Sequence, residues 1–387
     1  MPIRDAVIVE AVRTPVGKRN GSLAGVHAVD LSAHVLRALV ERTGIDPGAV
    51  DDVVWGCVQQ VGQQAANIGR NAVLAAGWPE SVPATTVDRQ CGSSQQSVHF
   101  AAAGLISGQY DLVVAGGVEN MSAIPMGSPV TADPALGSPS SPLVAERYGR
   151  EFNQGLGAEM MVEKWGFSRT VLDEFAALSH ERLAAAIDAG RLEAQIAPVT
   201  LADGRVFAVD EGLRRGTSVA TLANLRPSFK ADGTIHAGNA SQISDGAAAL
   251  LMTTSQKAAE LGLTPLARVH TAVLAGDDPV MMLGAPIPAT YKALAKSGLR
   301  IDEIGAFEVN EAFSPVPLAW LAETGADPAR LNANGGAIAI GHPLGGSGAR
   351  LMTTLVHHLR DNGIEYGLQT MCEGGGMANA TILELVR

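Results

Sequence analysis

Short apolar segments alternate with longer amphipathic segments along most of this chain. The short segments have strand length, and they include "AVIVEAV", "DDVVWGCV", "DLVVAGGV" and "GAFEVNEAF". The longer segments space their apolar residues with a helical period, as in "DLSAHVLRALVERTG". Because strands that alternate with helices are typical of layered α/β proteins, the pattern predicts an α/β fold.

An internal echo predicts that this fold is built from two related halves. The segment "YDLVVAGGVENMS", near residues 110 to 122, resembles "YGLQTMCEGGGMANA" at residues 366 to 380, and each follows a helical segment that ends near a glycine. A duplicated α/β unit often places its active site where the two copies face each other, and Cys372 falls in the second echo. Chance similarity is the alternative.

The chain between the echoes changes character over residues 121–243. Pro, Ser and Gly cluster in "MGSPVTADPALGSPSSP", and the amphipathic helix "SRTVLDEFAALSHERLAAAIDAG" follows. We interpret this region as an inserted loop domain that covers an active site; a solvated appendage or a subunit contact is the alternative. Residues 1–120 plus 244–264 then form the N-terminal domain, and residues 265–387 form the C-terminal domain.

Composition restricts the possible functions. The chain has 387 residues, of which 47% are hydrophobic and 17% charged, as expected for two or three globular domains. The net charge of -11 argues against a surface that binds DNA, RNA or anionic membrane, although a local basic patch for a phosphorylated ligand remains open. The amino-terminal segment "MPIRDAVIVEAVRTP" has neither a signal-peptide nor a transit-peptide pattern, so a cytoplasmic location is expected.

The cysteines are few and far apart. Cys57, Cys91 and Cys372 show no C-x-x-C spacing, so the sequence predicts neither a disulfide framework nor a zinc or iron–sulfur site, and no metal is expected. A reducing compartment fits this pattern.

Cys91 has an unusual local sequence for a core cysteine. It lies in "VDRQCGSSQQSV", between polar residues and a run of small ones. Ser93 or Ser94 is predicted to cap a helix that runs to about Ser107, which places Cys91 at the positive end of the helix dipole, where the thiolate is favoured. On these features alone, a role of Cys91 as a nucleophile and a role as a structural thiol are equally open.

Three further glycine-punctuated segments contain residues that can act with Cys91. They are "EVNEAFSP", "GGAIAIGHPLGGSGAR" and "TMCEGGGMANA". Together with "VRTPVGK", "VDRQCGSS", "AGGVENMS" and "GNASQISDGAA", they make the chain resemble a thiolase from end to end. The resemblance implies a duplicated thiolase fold, with two similar βαβαβαββ halves layered α-β-α-β-α and an inserted loop domain.

The resemblance also implies an activity and a set of catalytic residues. Thiolases transfer acyl groups between CoA thioesters by a ping-pong mechanism, which requires a nucleophile, a base at the α-carbon and donors for oxyanions. Cys91 is then the acylated nucleophile, His342 the base that takes its proton, and Cys372 the acid or base at the α-carbon. One oxyanion hole uses the amides of Cys91 and Gly374, and the other uses His342 with a water held by Asn310. A turn histidine, a packed strand-end cysteine and a helix-capping asparagine are the structural alternatives.

The residues expected to bind CoA are carried over from looser motifs. Ser241 matches a serine near the pantetheine, Arg214 and Thr221 align near the nucleotide end, and Ala312 and Phe313 would line the pantetheine tunnel. For each of these residues, the alternative is an ordinary position on the surface or in the core. The resemblance implies CoA as a substrate, no permanently bound cofactor, and a homodimer or homotetramer.

Departures from the family pattern concern the acyl group. Ser94 stands where glycine is expected, and Asn153 and Gln154 occupy the positions of a His-Met pair that narrows the acyl pocket of acetoacetyl-CoA thiolases. The segments "CGSSQQ", "NQ" and "SQISDGAA" together look closest to actinobacterial thiolases of fatty-acid and steroid side-chain or ring degradation. A biosynthetic acetoacetyl-CoA thiolase, a ketosynthase, a non-catalytic lipid carrier and a cysteine hydrolase remain as alternatives, although Cys372 argues against a ketosynthase.

Overall fold

A computed structural model describes residues 4–386 except residues 132, 134 and 136, so the first three residues and the last one lie outside the described chain. The strands are β1 (Val7–Arg13), β2 (Gly17–Lys18), β3 (Asp52–Gly56), β4 (Ala84–Val87), β5 (Leu112–Asn120), β6 (Val199–Thr200), β7 (Val206–Phe207), β8 (Ser244–Thr253), β9 (Ala267–Gly276), β10 (Ala306–Val309), β11 (Tyr366–Glu373) and β12 (Met377–Leu385). The helices are α1 (Ala28–Thr43), α2 (Ile68–Ala75), α3 (Ser93–Ser107), α4 (Ser128–Thr131), α5 (Pro142–Tyr148), α6 (Gln154–Trp165), α7 (Arg169–Asp188), α8 (Val219–Leu222), α9 (Ser255–Leu261), α10 (Pro286–Ser297), α11 (Pro315–Thr324) and α12 (Leu344–Asn362). None of the helices in this described chain is both long enough and apolar enough to cross a membrane.

One large mixed sheet organises the molecule. The described strands other than β6 and β7 form a 10-stranded sheet in the order β10-β11-β12-β9-β1-β8-β5-β3-β4, with β2 paired to β8. The two halves of this sheet meet where β1 and β9 pair, with Val7 opposite Arg268 and Ile8 opposite Ala267.

The strand pairing repeats between the halves. In the first half β3 runs parallel to β5, and β5 and β1 each run antiparallel to β8. In the second half β10 runs parallel to β11, and β11 and β9 each run antiparallel to β12. β5 and β11, the two strands that contain the sequence echo, therefore occupy equivalent places. This equivalence confirms the predicted duplicated α/β fold.

Two helices pack between the halves. α3 contacts β3 and β5, α12 contacts β5, β8, β10 and β11, and the two helices contact each other. α1 and α2 cover the outer face of the first half, and α10 covers β9 and β12 in the second. Each half has a buried tryptophan, with Trp55 donating to Ser32 and Trp320 donating to Thr290.

Glycines allow α3 and α12 to approach closely. A Cβ on Gly348 of α12 would lie only 2.2 Å from the backbone nitrogen of Gln95 in α3. A Cβ on Gly56, at the end of β3, would lie 2.5 Å from the backbone nitrogen of Ser94. The lack of a side chain at these positions brings the first turns of both helices together, and Cys91 and His342 directly precede those turns.

The chain between β5 and β8 contains α4 to α8 and the β6–β7 ribbon. α6 packs on α11, and Ser179 of α7 donates a 2.6 Å hydrogen bond to Glu311, so this segment lies against the C-terminal half. β8 then returns the chain to the first half. The domain boundaries given above remain a prediction.

Candidate active site

Cys91 lies in a tight turn that polar side chains hold in place. Asp88 accepts a hydrogen bond from the backbone nitrogen of Gln90 at 2.7 Å. The Ser93 hydroxyl accepts from the backbone nitrogen of Arg89 at 3.0 Å and donates to the carbonyl of Gln90 at 2.6 Å. Gln90 has a φ of 48°, which is rare for a residue with a side chain. Such a constrained residue directly before a thiol is typical of a functional turn.

The predicted helix end at Ser107 is confirmed, but the predicted capping of α3 is wrong. Gly92 occupies the N-cap position, and no side chain caps the helix. Ser93 is engaged in the turn, and Ser94 accepts a hydrogen bond from the backbone nitrogen of Ala349 at 2.8 Å. The hydroxyls are thus committed to the turn and to α12, which is a tertiary contact that the local sequence does not reveal.

The expected stabilisation of a Cys91 thiolate by the helix dipole is outweighed by its surroundings. Cys91 keeps some exposure, yet desolvation is the main cause that raises the pKa of its thiol to about 12, and Glu373 adds to this rise when it is ionised. The thiol is therefore neutral near pH 7 and needs a base to become a nucleophile.

The other two cysteines are buried. Burial raises the pKa of Cys372, and a negative charge on Cys91 would add to this rise. Burial also raises the pKa of Cys57, whose sulfur lies 3.8 Å from a carboxylate oxygen of Glu119. Cys57 therefore has the properties of an inert core thiol.

His342 is held as a neutral base. Its Nδ1 lies 2.6 Å from the hydroxyl of Ser347, which itself donates to the carbonyl of Pro343 at 2.8 Å. Nδ1 therefore donates its proton to Ser347, and Nε2 keeps a lone pair. Burial, together with the charge of Arg350, lowers the pKa of His342 to about 3. The ring is thus unprotonated near neutral pH and able to accept a proton through Nε2.

Asn310 lies beside this lone pair. It follows β10, and its Nδ2 is 3.3 Å from Nε2 of His342. Its buried Oδ1 has no hydrogen-bond partner among the described residues, which is typical of a group that binds a water or a ligand. The capping alternative does not hold, because Ser314 occupies the N-cap position of the following helix α11.

Two adjoining cavities lie at Cys91 and at His342, and neither Cys372 nor Asn310 lines them. The first, the Cys91 cavity, has a volume of about 420 Å³ and includes Gly374 in its wall. The second, the His342 cavity, has a volume of about 460 Å³. Met126, Gln154 and Leu344 line both, so the cavities meet at these side chains.

The structure brings some of the predicted CoA residues together and leaves others apart. Arg214, Ser241 and Phe313 line the His342 cavity. Thr221 does not line it; its exposed side chain closes a capping box at the start of α8. Ala312 is also absent from the lining, although its carbonyl accepts a hydrogen bond from the backbone nitrogen of Ser241 at 2.9 Å.

Of the two residues expected in the acyl pocket, Asn153 and Gln154, only one lines a cavity. Gln154 lines the Cys91 cavity, whereas Asn153 caps α6 through bonds from Gly155 at 3.0 Å and Leu156 at 3.1 Å. Phe152 lines the cavity instead. Sequence reasoning missed Phe152, although its position next to the pair was an available signal.

Sequence reasoning also missed Ser347. This residue sets the protonated nitrogen of His342, and it lies in the "GHPLGGSG" segment. The signal was its spacing, since a residue in the first turn of a helix can reach back to a side chain that precedes the helix.

The family follows from the match along the whole chain. Residues 6–256 match the family model described as thiolase, N-terminal domain, and residues 263–385 match thiolase, C-terminal domain. The chain belongs to the thiolase family. The resemblance drawn from the sequence motifs is therefore confirmed.

Individual relatives agree with this thiolase assignment. The chain is 52% identical over 385 residues to the steroid 3-ketoacyl-CoA thiolase FadA6 of Mycobacterium tuberculosis, covering 98% of this chain and 94% of that protein. It is 43% identical to a 3-ketoacyl-CoA thiolase of Photobacterium profundum, covering 99% of this chain and 100% of that protein. The crystal structure of the Bacillus anthracis acetyl-CoA acetyltransferase has a TM-score of 0.92 and 36% identity, with 99% of each chain covered. The thiolase is thus an acyltransferase.

Proposed function

We propose that this thiolase cleaves 3-oxoacyl-CoA with CoA, giving acetyl-CoA or another short acyl-CoA and a shortened acyl-CoA, or runs the reverse Claisen condensation. The observation that carries the proposal is the neutral His342, which lines a cavity that adjoins the one around Cys91. A neutral base beside a neutral thiol is the arrangement that a covalent acyl transfer needs.

The first half-reaction uses both thiols. His342 takes the proton of Cys91, and the sulfur attacks the 3-oxo carbonyl carbon of the substrate. The bond between the α-carbon and that carbonyl breaks, its electron pair stays on the α-carbon, and Cys372 protonates the α-carbon. The products are acyl-Cys91 and an acetyl-CoA that leaves.

The second half-reaction restores the site. The thiol of an incoming CoA gives its proton to the Cys372 thiolate and attacks the acyl-Cys91 thioester. The sulfur of Cys91 leaves and recovers its proton from His342. Each residue thus returns to its starting protonation state, as a ping-pong mechanism requires.

Oxyanions formed along this path need donors. Cys91 and Gly374 both line the Cys91 cavity, so their backbone amides are the proposed donors to the tetrahedral intermediate. Protonated His342 and Asn310 are proposed to stabilise the enolate, the latter through a water. For the CoA itself, we propose Arg214 as the phosphate ligand and Ser241 with Phe313 as pantetheine contacts, since all three line the His342 cavity. Thr221 and Ala312 remain weaker proposals.

We propose an acyl group larger than acetoacetyl as the substrate. Gln154 replaces the methionine that narrows the pocket of short-chain enzymes, and the Cys91 cavity has a volume of about 420 Å³. The steroid thiolase FadA6, which is 52% identical to this chain, supports a ring-bearing acyl group. The biosynthetic acetoacetyl-CoA thiolase is the competing proposal.

Thiolysis kinetics across substrates test this choice. Purified enzyme is assayed with 3-oxoacyl-CoAs of increasing chain length and with ring-bearing 3-oxoacyl-CoAs. We expect kcat/KM to be highest for substrates longer than acetoacetyl-CoA. Activity confined to acetoacetyl-CoA would instead establish the short-chain alternative.

We also propose a homodimer or homotetramer located in the cytoplasm. The edge strand β4 is half-exposed, and α3 separately exposes Phe100 and Ile106, which supports protein contacts at these two surfaces. Sedimentation equilibrium tests the assembly, and a monomer at micromolar concentration would contradict it. CoA enters this proposal as a substrate rather than as a resident cofactor.

A further inference from the structure

Glu373 lies beside both thiols, and the mechanism proposed above does not use it. It follows Cys372 at the end of β11, and its side chain is 0% exposed. Its carboxyl packs against the backbone of Gly92, the residue after Cys91, so closely that a Cβ on Gly92 would lie 2.0 Å from Oε1. A buried carboxyl therefore lies directly behind the nucleophile.

The neighbours of this carboxyl leave it incompletely paired. Asn379 of β12 donates from Nδ2 to the carbonyl of Gly92 at 3.1 Å, and the same Cβ position on Gly92 is 2.9 Å from that nitrogen. Within the described part of the chain, the Oδ1 of Asn379, both carboxyl oxygens of Glu373 and the Nε of Arg89 have no hydrogen-bond partner. In the described part of the chain, Arg89 and Glu373 do not form an ion pair.

A neutral carboxyl suits these surroundings better than a charged one. An ionised Glu373 would place a negative charge on two buried oxygens that have no hydrogen-bond partner among the described residues, whereas a protonated carboxyl carries no charge into this site. Burial raises the pKa of Glu373 to about 8, although the charge of Arg89 and the backbone N–H of Asn379 act in the opposite direction. The carboxyl therefore holds its proton near neutral pH.

Ionisation of Glu373 would act on the nucleophile. Its negative charge raises the pKa of Cys91 and contributes to the raised pKa of Cys372. Glu119 and Asp88 act on Cys91 in the same direction, but less strongly than Glu373. Arg89 is the positive group that faces Glu373, and Asn379 on β12 is uncharged.

We propose that Glu373 is a positioning residue that must stay protonated for acyl transfer. Its neutral carboxyl packs against the Gly92 peptide behind Cys91, while its ionisation opposes formation of the Cys91 thiolate. This inference rests on the proposed role of Cys91 as the acylated nucleophile.

The pH dependence of turnover tests the proposal in the intact enzyme. The value of kcat/KM for thiolysis is measured from about pH 6 to about pH 10 for the wild type, Glu373→Gln and a matched control, Glu365→Gln, whose side chain is exposed at the start of the same strand region. The wild type and the control should lose rate above about pH 8, approaching about tenfold per pH unit, and Glu373→Gln should lack this descending limb. Identical profiles, or a uniform loss at every pH in the variant, would overturn the proposal.

Alkylation of Cys91 provides a readout that does not require turnover. Iodoacetamide labelling is followed by mass mapping, with buried Cys57 as the internal reference. Cys91 should react at the same rate in the wild type and in Glu373→Gln near pH 7, and at least about threefold faster in the variant above about pH 8. Equal alkylation rates of Cys91 in the wild type and in Glu373→Gln at every pH would contradict the proposal.

Two further controls separate the possible failures. Glu373→Leu is a second uncharged variant, which replaces Glu373→Gln if the latter does not fold and should likewise lack the descending limb of the pH profile. A wild type without thiolysis of any 3-oxoacyl-CoA would refute the proposed function, while the alkylation comparison would still decide the effect of Glu373 on Cys91.

Discussion

The side-chain amide of Asn310 lies 3.3 Å from Nε2 of His342, and it can donate there only while that nitrogen is unprotonated. Uptake of a proton by His342 must therefore break this hydrogen bond or rotate the amide so that Oδ1 faces the new N–H. Oδ1 is buried and has no partner among the described residues, so it is available for that exchange. The contact thus couples the position of Asn310 to the protonation of the base.

Removal of this amide should slow the chemical step. We expect Asn310→Ala to lower kcat by about 10²- to 10³-fold, the usual cost of one oxyanion donor, with little change in KM. Steady-state thiolysis measures it. Asn362→Ala, an exposed change at the end of α12, is the control and should keep wild-type kinetics. A loss expressed only in KM would show that Asn310 binds substrate without acting in the reaction.

Removal of the Cys91 thiol and removal of the Cys372 thiol should abolish different steps of the reaction. Cys91→Ala should form no acyl-enzyme and lose both acyl transfer and thiolysis, because the proposed mechanism has no other nucleophile. Cys372→Ala should still gain the mass of an acetyl group from acetyl-CoA, yet lose Claisen turnover by several orders of magnitude. Intact-protein mass spectrometry and a steady-state assay measure these outcomes. Acetylation of the Cys91 variant, or near-normal Claisen turnover by the Cys372 variant, would contradict the assigned roles.

Acid should not switch off the acylation step near the usual pKa of histidine. Burial lowers the pKa of His342 to about 3, so the neutral base persists as the pH falls from about 7 to about 5. We expect the rate of Cys91 acetylation by acetyl-CoA to stay nearly constant over this range. Quenched-flow mass spectrometry measures that rate, and a single-proton decline centred near pH 6.5 would show that His342 titrates normally.

The helix contact behind the site should tolerate no side chain at Gly348. A Cβ there would lie 2.2 Å from the backbone nitrogen of Gln95, so α3 and α12 must separate in Gly348→Ala. We expect the free energy of unfolding to fall by about 1–3 kcal/mol, as for other overpacked cores, and activity to fall as Cys91 shifts. Denaturant unfolding measures the change. Gly25→Ala is the control, because a Cβ on Gly25 would meet nothing within 4 Å.

The sequence determined the α/β class, the duplicated halves and the extent of α3. These features follow from the period of apolar residues and from the echo around Cys372, both of which are local along the chain. The candidate residues Cys91, His342 and Cys372 also came from the sequence, because each lies in a short glycine-rich segment with its own signature.

Only the tertiary structure decided how these residues are held and charged. The hydroxyl of Ser94 bonds α12 instead of capping α3, Asn153 caps a helix while Phe152 lines the cavity, and Thr221 lies outside the cavity that Ser241 lines. The raised pKa of Cys91 has the same origin. Capping partners, cavity walls and desolvation depend on atoms contributed by segments far apart in the chain, and their effects exist only after those segments have packed together.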